Sequence, residues 1–183
     1  TGKMVLKMNK KPIIFALANP DPEINPADAL KVAPDALIAT GRSDYPNQVN
    51  NVLCFPFIFR GALDVGATQI NDEMKLACIH AIANLARQTS TAETVEAYQG
   101  EILKFGKEYL IPKPFDPRLL PNVAVAVAEA AMKSGVASRP LKDVEAYKQK
   151  LEGSVYKSTI LMKPVFEAAK TSSRKIVFAE GED

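Results

Sequence analysis

The hydrophobic positions near the start of the chain fall into two short apolar runs separated by an amphipathic stretch. Lys11–Ala18 is apolar over a length that predicts a buried strand. An asparagine followed by a proline, the pattern of an N-cap and a first helical residue, opens a predicted helix over Asn25–Val32. Ala36–Thr40 predicts a second strand. A strand, a helix and a strand in this order are typical of a parallel α/β sheet.

The pattern becomes helical after residue 50. Apolar residues recur at steps of three and four over Ile70–Leu85, where Asn71 is the candidate N-cap. These apolar residues occupy nearly every side, which predicts a well-buried helix. A shorter amphipathic helix is predicted over Thr91–Gln99. An alanine-rich helix is predicted over Asn122–Lys133, with Gly135 in the position of a C-cap.

The composition changes after residue 140. Leu141–Glu152 is highly charged with few apolar positions, which predicts an exposed helix. A further helix is predicted over Ser158–Ala169 and a strand over Ile176–Ala179. A single strand at the end of the chain has no partner of its own, so we interpret it as the start of another domain.

Composition narrows the function classes. The chain has 183 residues, of which 47% are hydrophobic and 24% charged, as in a globular protein of about one domain. A net charge of +2 and dispersed basic residues argue against nucleic acid, and no apolar run approaches the ~20 residues of a membrane span. With His80, Cys54 and Cys78 as its whole histidine and cysteine set, the chain cannot build a four-ligand Cys/His zinc site.

Cys54, Cys78 and His80 also allow predictions about the cellular compartment and about their own structural roles. Two cysteines and no apolar leader favour a reducing compartment, and we expect a cytoplasmic protein. We interpret Cys54 and Cys78 as packing residues and His80 as a core or interface histidine. No G-x-G-x-x-G turn and no P-loop occur, so the phosphate-binding half of any nucleotide-binding domain is expected upstream of Thr1.

Asparagines follow both predicted strands. Asn19 comes directly after the first strand, and Asn50 and Asn51 end the polar loop after the second. Ligands of open α/β sheets bind at the carboxyl ends of strands, and spare N–H groups at a helix start favour anions. Each asparagine site taken alone is also explained by a turn or a cap. Two such sites at consecutive strand ends favour one ligand crevice.

Three segments carry a family resemblance. Phe15–Ile24, Ala39–Val65 and Ile111–Leu119 resemble the later part of the cofactor-binding domain of bacterial malic enzymes, a Rossmann-like parallel-sheet domain. Arg174–Asp183 resembles the opening strand of a phosphotransacetylase-like domain. The pairing is similar to the multidomain, hybrid malic enzymes. It implies a later cofactor-binding part at 1–140, a helical linker at 141–173 and a first strand of the next domain at 174–183.

The resemblance implies oxidative decarboxylation of L-malate to pyruvate and CO2, with NADP as hydride acceptor and Mg²⁺ or Mn²⁺ as cofactor. Asn19 matches the asparagine at the substrate and nicotinamide crevice. Asn51, with Asn50 beside it, matches the pair that contacts the substrate carboxylate and the nicotinamide. The family's catalytic tyrosine and lysine, its three acidic metal ligands and its phosphate loop belong to upstream segments, so no catalytic or metal residue is expected in this segment.

Partners and alternatives follow from the same resemblance. It implies L-malate, the rest of the same polypeptide and further copies of the chain as partners, with acyl-CoA regulation through the downstream domain. Another nicotinamide-linked decarboxylating or deaminating dehydrogenase remains a rival of the same class. The rival of a different class is a non-catalytic regulatory or assembly segment, in which the helices of Leu119–Ser172 join a dehydrogenase domain to an acyl-CoA-responsive one.

Overall fold

The computed structural model describes residues 1–89, 95 and 103–155. Its elements follow one another along the chain, with one short 3-10 turn among them. They are α1 (Gly2–Val5), β1 (Ile13–Ala16), α2 (Pro26–Val32), β2 (Leu37–Thr40), the 3-10 turn (Asn51–Leu53), α3 (Phe55–Asp64), α4 (Asp72–Arg87), α5 (Leu119–Lys133) and α6 (residues 144–155).

The first half contains the predicted βαβ unit. Strands β1 and β2 pair in parallel, with Ile13 opposite Leu37 and the two strand ends level. Helix α2 connects them and begins as the sequence predicts, because the Asn25 side chain accepts a hydrogen bond of 2.9 Å from the Ala27 amide. Pro26 occupies its first turn. The parallel α/β class is therefore confirmed.

Strand β1 is covered on one face only. Ile14 packs against the small cluster formed with α2, whereas Ile13 and Phe15 are 63% and 61% exposed. Side chains alternate between the two faces of a strand, so the exposed pair shares one face. The prediction of a buried strand is wrong for this face, since none of the described residues covers it.

Helix α5 is the centre of the second half, because α3 and α4 both pack on it. Its small residues Ala124, Ala128 and Ala131 are fully buried. At the crossing with α3, a Cβ on Gly61 would lie 2.4 Å from the carbonyl oxygen of Ala124. The two helix backbones are therefore in direct contact, and only glycine fits at this position of α3.

Helix α4 is buried on one side. Its N-cap is Asn71, as predicted, and Met74 and Cys78 lie in the core. Leu76 and Ile79 are 53% and 59% exposed, so the prediction of a helix buried on all sides is wrong. The single histidine of α4, His80, is also exposed, so of the two predicted positions the core one is wrong and the interface one stays a prediction.

Helix α6 packs on the same core. It starts with the Asp143 side chain accepting a hydrogen bond of 2.9 Å from the Ala146 amide. Tyr147 and Leu151 are buried, and the Tyr147 hydroxyl donates to Asp64 of α3 at 2.8 Å. The exposed helix predicted here is therefore amphipathic, and the prediction fails on the face of these two residues. Leu141–Glu152 has few apolar positions, so its sequence did not reveal that Tyr147 and Leu151 form a buried face.

Three predicted elements cannot be compared with the structure. The helix predicted over Thr91–Gln99 lies outside the described residues except at position 95, and the elements at Ser158–Ala169 and Ile176–Ala179 lie outside them entirely. Within residues 1–89 and 103–155, none of the helices has the length and apolar content needed to cross a bilayer.

Candidate functional site at the carboxyl ends of the strands

Asn19 lies in a short loop that begins where β1 ends. Its side chain is exposed, and the loop is closed behind it by Glu23, whose carboxylate accepts a hydrogen bond of 3.2 Å from the Ala18 amide. Hydrogen bonds from backbone amides, first that of Glu23 itself and then that of Ala18, lower the pKa of the Glu23 carboxyl. The ionised carboxylate thus holds the loop, and the Asn19 amide is left facing solvent.

The end of β2 lies directly against Asn19. A Cβ built on Gly41 would lie 3.1 Å from Oδ1 and 3.3 Å from Nδ2 of Asn19, closer than side chains normally pack. Any larger residue at position 41 would therefore displace the Asn19 amide. The glycine that follows β2 thus sets the position of the asparagine that follows β1.

The loop after β2 turns back along the same strand end. Gln48 forms a parallel bridge with Thr40, and the Val49 amide donates to the Thr40 carbonyl at 2.7 Å. The Gln48 side chain also donates to the Gly41 carbonyl at 3.4 Å. Asn19 and the residues that lead into Asn50 therefore both lie against Gly41.

Asn50 and Asn51 have different roles in the turn that follows. Asn50 is the N-cap of the 3-10 turn, and its Oδ1 accepts a hydrogen bond of 3.0 Å from the Val52 amide. Its oxygen is thereby engaged, while its amide nitrogen retains two N–H donors. Asn51 is the first residue of the turn and is exposed. The capping explanation holds for Asn50 and does not apply to Asn51.

Asn47 positions this loop, although it is not among the asparagines that were predicted to bind a ligand. It is 6% exposed, and its side chain donates to the carbonyls of Ile38 at 3.0 Å and Lys107 at 2.8 Å. Its oxygen accepts from the Leu110 amide at 2.7 Å. The backbone is left-handed, with φ at 56°. The available signal was the residue type, because asparagine tolerates this conformation better than most residues.

The only arginine of the loop is already paired. Arg42 donates to Asp44 at 2.8 Å and 2.7 Å and lies over the Tyr45 ring at 5.4 Å. Its hydrogen bonds lower the pKa of the Asp44 carboxyl. The charge of Arg42 is thus balanced locally. Near the strand ends, the neutral amides of Asn19, Asn50 and Asn51 remain available to contact a ligand.

The described residues fit a nicotinamide better than a metal ion. Exposed side-chain amides can both donate to and accept from a carboxamide, and they donate to carboxylates. By contrast, no three His, Cys, Asp or Glu side chains within the described ranges lie close enough together to hold a metal. Asp64, an acidic residue near the core, is instead bound by Arg60 at 2.6 Å and by Tyr147.

A separate cleft of about 90 Å³ lies between α2, β2 and residues 107–108. Tyr45 and Asn47 line it, and Asn19, Asn50 and Asn51 do not. Ligand pockets for small molecules measure about 300–1,000 Å³, so this cleft is too small for a dinucleotide.

Residues 3–98 match the family described as "Malic enzyme, NAD binding domain". The chain belongs to the malic enzyme family. It is 60% identical over 183 residues to an NADP-dependent malic enzyme of Salmonella typhimurium, covering 100% of this chain and 24% of that protein. It is 57% identical over 182 residues to an NAD-dependent malic enzyme of Rhizobium meliloti, covering 99% of this chain and 24% of that protein.

The fold agrees with solved malic enzymes. The crystal structure of malic enzyme from Pyrococcus horikoshii is similar with a TM-score of 0.69 at 40% identity, over 92% of this chain and 34% of that one. The family resemblance and the parallel α/β cofactor-binding fold are thereby confirmed. The chain spans about a quarter of the length of the curated malic enzymes it matches.

Proposed function

We propose that the protein carrying this segment oxidises and decarboxylates L-malate to pyruvate and CO2 with reduction of NADP. The observation that carries the proposal is the exposed Asn19 amide beside Gly41, at the carboxyl ends of two parallel strands in a malic enzyme domain. We propose NADP rather than NAD as the hydride acceptor because the Salmonella typhimurium relative, at 60% identity over the whole chain, is named NADP-dependent.

The segment's contribution is to bind and orient. In our proposal the Asn19 amide donates to a malate carboxylate oxygen or accepts from the nicotinamide carboxamide, which orients either group without adding charge. Asn51, exposed at the start of the 3-10 turn, and the free N–H groups of Asn50 contact the same pair of ligands. The bound nicotinamide supplies the hydride acceptor.

The remaining chemistry is assigned to other parts of the polypeptide. The described residues do not fit a Mg²⁺ or Mn²⁺ site, so we propose that the metal ligands and the catalytic acid and base lie outside this segment. The rest of its own polypeptide is therefore its first partner.

We also propose the hybrid arrangement, with the cofactor-binding part at 1–140, a helical linker at 141–173 and a phosphotransacetylase-like domain from 174. The bond between Tyr147 and Asp64 supports a linker whose first turns pack on the cofactor-binding part. We further propose that the full-length protein is a cytoplasmic homo-oligomer that responds to acyl-CoA. Light scattering of the full-length protein with and without acetyl-CoA tests its oligomeric state and the response of that state to acyl-CoA.

The activity is tested by malate-dependent NADP reduction in the full-length protein and its Asn19→Ala variant. We expect kcat/KM for malate to fall about 10-fold or more, because one hydrogen bond to a charged group contributes about 1.5–3 kcal/mol. Asn9→Ala is the matched control, since Asn9 is also exposed but precedes β1, at the opposite end of the strand from Asn19.

Two results would contradict the proposal at different levels. Unchanged kinetics in Asn19→Ala would remove this residue from the site and leave the activity intact. A full-length protein that reduces neither NADP nor NAD with malate would contradict the activity, and would favour the non-catalytic regulatory or assembly segment.

A further inference from the structure

Two thiols contact each other at the junction of α3 and α4. The Sγ atoms of Cys54 and Cys78 lie 3.3 Å apart, and both cysteines are free. Cys54 is the N-cap residue of α3 and is partly exposed, whereas Cys78 lies inside α4 and is 1% exposed. The proposed reaction of malate and NADP uses neither residue, and packing alone does not require the two sulfur atoms to meet.

We propose that Cys54 and Cys78 form an oxidisable dithiol site, which hydrogen peroxide converts to a disulfide. A disulfide has an S–S distance of about 2.05 Å, so the sulfur atoms need to approach by about 1.2 Å. Side-chain rotation in a partly exposed helix-capping residue can provide much of this movement. The proposal rests on this contact and not on the proposed activity.

The two thiols differ in solvent exposure, so we expect Cys54 to be oxidised before Cys78. Cys54 is the one that peroxide can reach, because it is partly exposed whereas Cys78 is 1% exposed. Burial, and then the contact with Cys54, raises the pKa of the Cys78 thiol. Cys78 therefore remains protonated and protected until its neighbour has reacted.

The chemistry balances in two steps. The Cys54 thiolate attacks one oxygen of hydrogen peroxide, the O–O bond breaks, and the products are a sulfenic acid and hydroxide, which takes up the thiol proton to become water. The Cys78 sulfur then attacks Sγ of Cys54, the S–O bond breaks, and a second water leaves with the Cys78 proton. Two thiols and one peroxide thus yield one disulfide and two waters.

The bond would join α4 to the turn that carries the asparagines. Cys54 ends the 3-10 turn Asn51–Leu53, and its amide donates to the Asn51 carbonyl at 3.0 Å. A link from Cys54 to Cys78 therefore fixes the end of this turn to a long helix of the core. Oxidation is expected to restrict that turn whatever ligand it binds.

Trypsin separates the two cysteines, which makes the bond directly measurable. Cleavage after Arg42, Arg60, Lys75 and Arg87 leaves Cys54 in peptide 43–60 and Cys78 in peptide 76–87. The reduced full-length protein is treated with hydrogen peroxide, alkylated with N-ethylmaleimide and digested without reductant. We expect mass spectrometry to find the two peptides joined, two hydrogens lighter than their sum, and separated again by dithiothreitol.

Single variants report each step. Cys54→Ser should abolish the joined species and leave Cys78 unoxidised. Cys78→Ala should stop the reaction at a Cys54 sulfenic acid, which dimedone traps. The proposal is overturned if the native protein yields both peptides separately, whether alkylated or over-oxidised at Cys54, at a peroxide dose that oxidises exposed thiols elsewhere in the protein.

Discussion

Asn47 offers the sharpest test of how the candidate site is held in place. It joins β2, through the Ile38 carbonyl, to residues 107–110 by three hydrogen bonds of 2.7–3.0 Å, and it does so with a left-handed backbone. Two variants separate these contributions. Asn47→Gly removes the side-chain bonds but tolerates the backbone conformation, whereas Asn47→Ala removes the bonds and strains the backbone as well.

The magnitudes follow from the contacts. Each hydrogen bond contributes about 0.5–1.5 kcal/mol net, and a buried polar group left unpaired costs about 1–3 kcal/mol. Three bonds lost at a position 6% exposed therefore lower the free energy of unfolding of Asn47→Gly by about 2–4 kcal/mol. The left-handed conformation adds about 1–2 kcal/mol for a residue with a Cβ, so Asn47→Ala is expected to be less stable than Asn47→Gly.

Two measurements check this expectation. Urea denaturation gives the free energies of unfolding, and hydrogen exchange reports on the Leu110 amide, whose acceptor is the Asn47 oxygen. A loss of 2 kcal/mol corresponds to about 30-fold faster exchange at that amide. The Ser134 amide, bonded to the Ala130 carbonyl at the end of α5, is the internal control and should change less.

Either of two results would contradict this role of Asn47. If Asn47→Gly unfolds within about 0.5 kcal/mol of the native protein and Leu110 exchanges at its native rate, the three hydrogen bonds do not hold the loop. If Asn47→Ala is as stable as Asn47→Gly, the left-handed conformation imposes no strain at this position.

Three further predictions concern the core. Gly61→Ala should destabilise the protein by about 1–3 kcal/mol in a denaturant titration, because the new Cβ meets the Ala124 carbonyl oxygen. Asp116→Asn should cost about 3–5 kcal/mol, because it removes the counter-charge of the mostly buried Arg118 guanidinium, 2.6 Å away. The pKa of the Cys78 thiol is raised in the folded protein, so the unfolded chain loses this proton at lower pH than the folded one. The free energy of unfolding should therefore fall above about pH 8.5, by up to about 1.4 kcal/mol per pH unit. Cys78→Ala should make this fall with pH less steep.

Matched controls exist for each of these. Gly153→Ala adds a Cβ with no atom within 4 Å, so it should not destabilise α6, and a loss equal to that of Gly61→Ala would contradict the steric explanation. Asp28→Asn breaks an exposed pair with Lys31 and should cost much less than Asp116→Asn. Equal losses in the two aspartate variants would show that burial does not set the cost. Ala81→Gly, a partly buried position of α4, should leave the alkaline slope unchanged.

The sequence predicted the helices whose ends carry a capping asparagine or a glycine. Asn25 and Asn71 cap α2 and α4 as expected, and Gly135 adopts the positive φ of a helix end. Parallel pairing of β1 and β2 followed from the strand, helix and strand order. These features depend on neighbours in sequence or on strong chain-connection rules, which is why one sequence was enough to predict them.

Features that depend on distant neighbours were missed. The burial of Tyr147 requires Asp64, which lies 83 residues earlier. The role of Asn47 depends on Lys107 and Leu110, beyond a segment of helices. At the candidate site, residue types predicted where Asn19 and Asn50 lie, but not that Gly41 is what holds Asn19 in position. The spacing of hydrophobic residues along the chain does not indicate which distant residues contact each other.

The packing of α3 and α4 on α5 has a consequence for folding during translation. Helices α3 and α4 contact each other little and rely on α5, which comes later in the chain. After Arg87 has been added, a ribosome working at about 5–20 residues per second needs roughly 2–9 s to reach Lys133. During that interval the core faces of α3 and α4 have not yet met α5, so nascent chains should be most open to chaperones and proteases then. Slow codons between α4 and α5 should therefore lower the yield more than slow codons after α5.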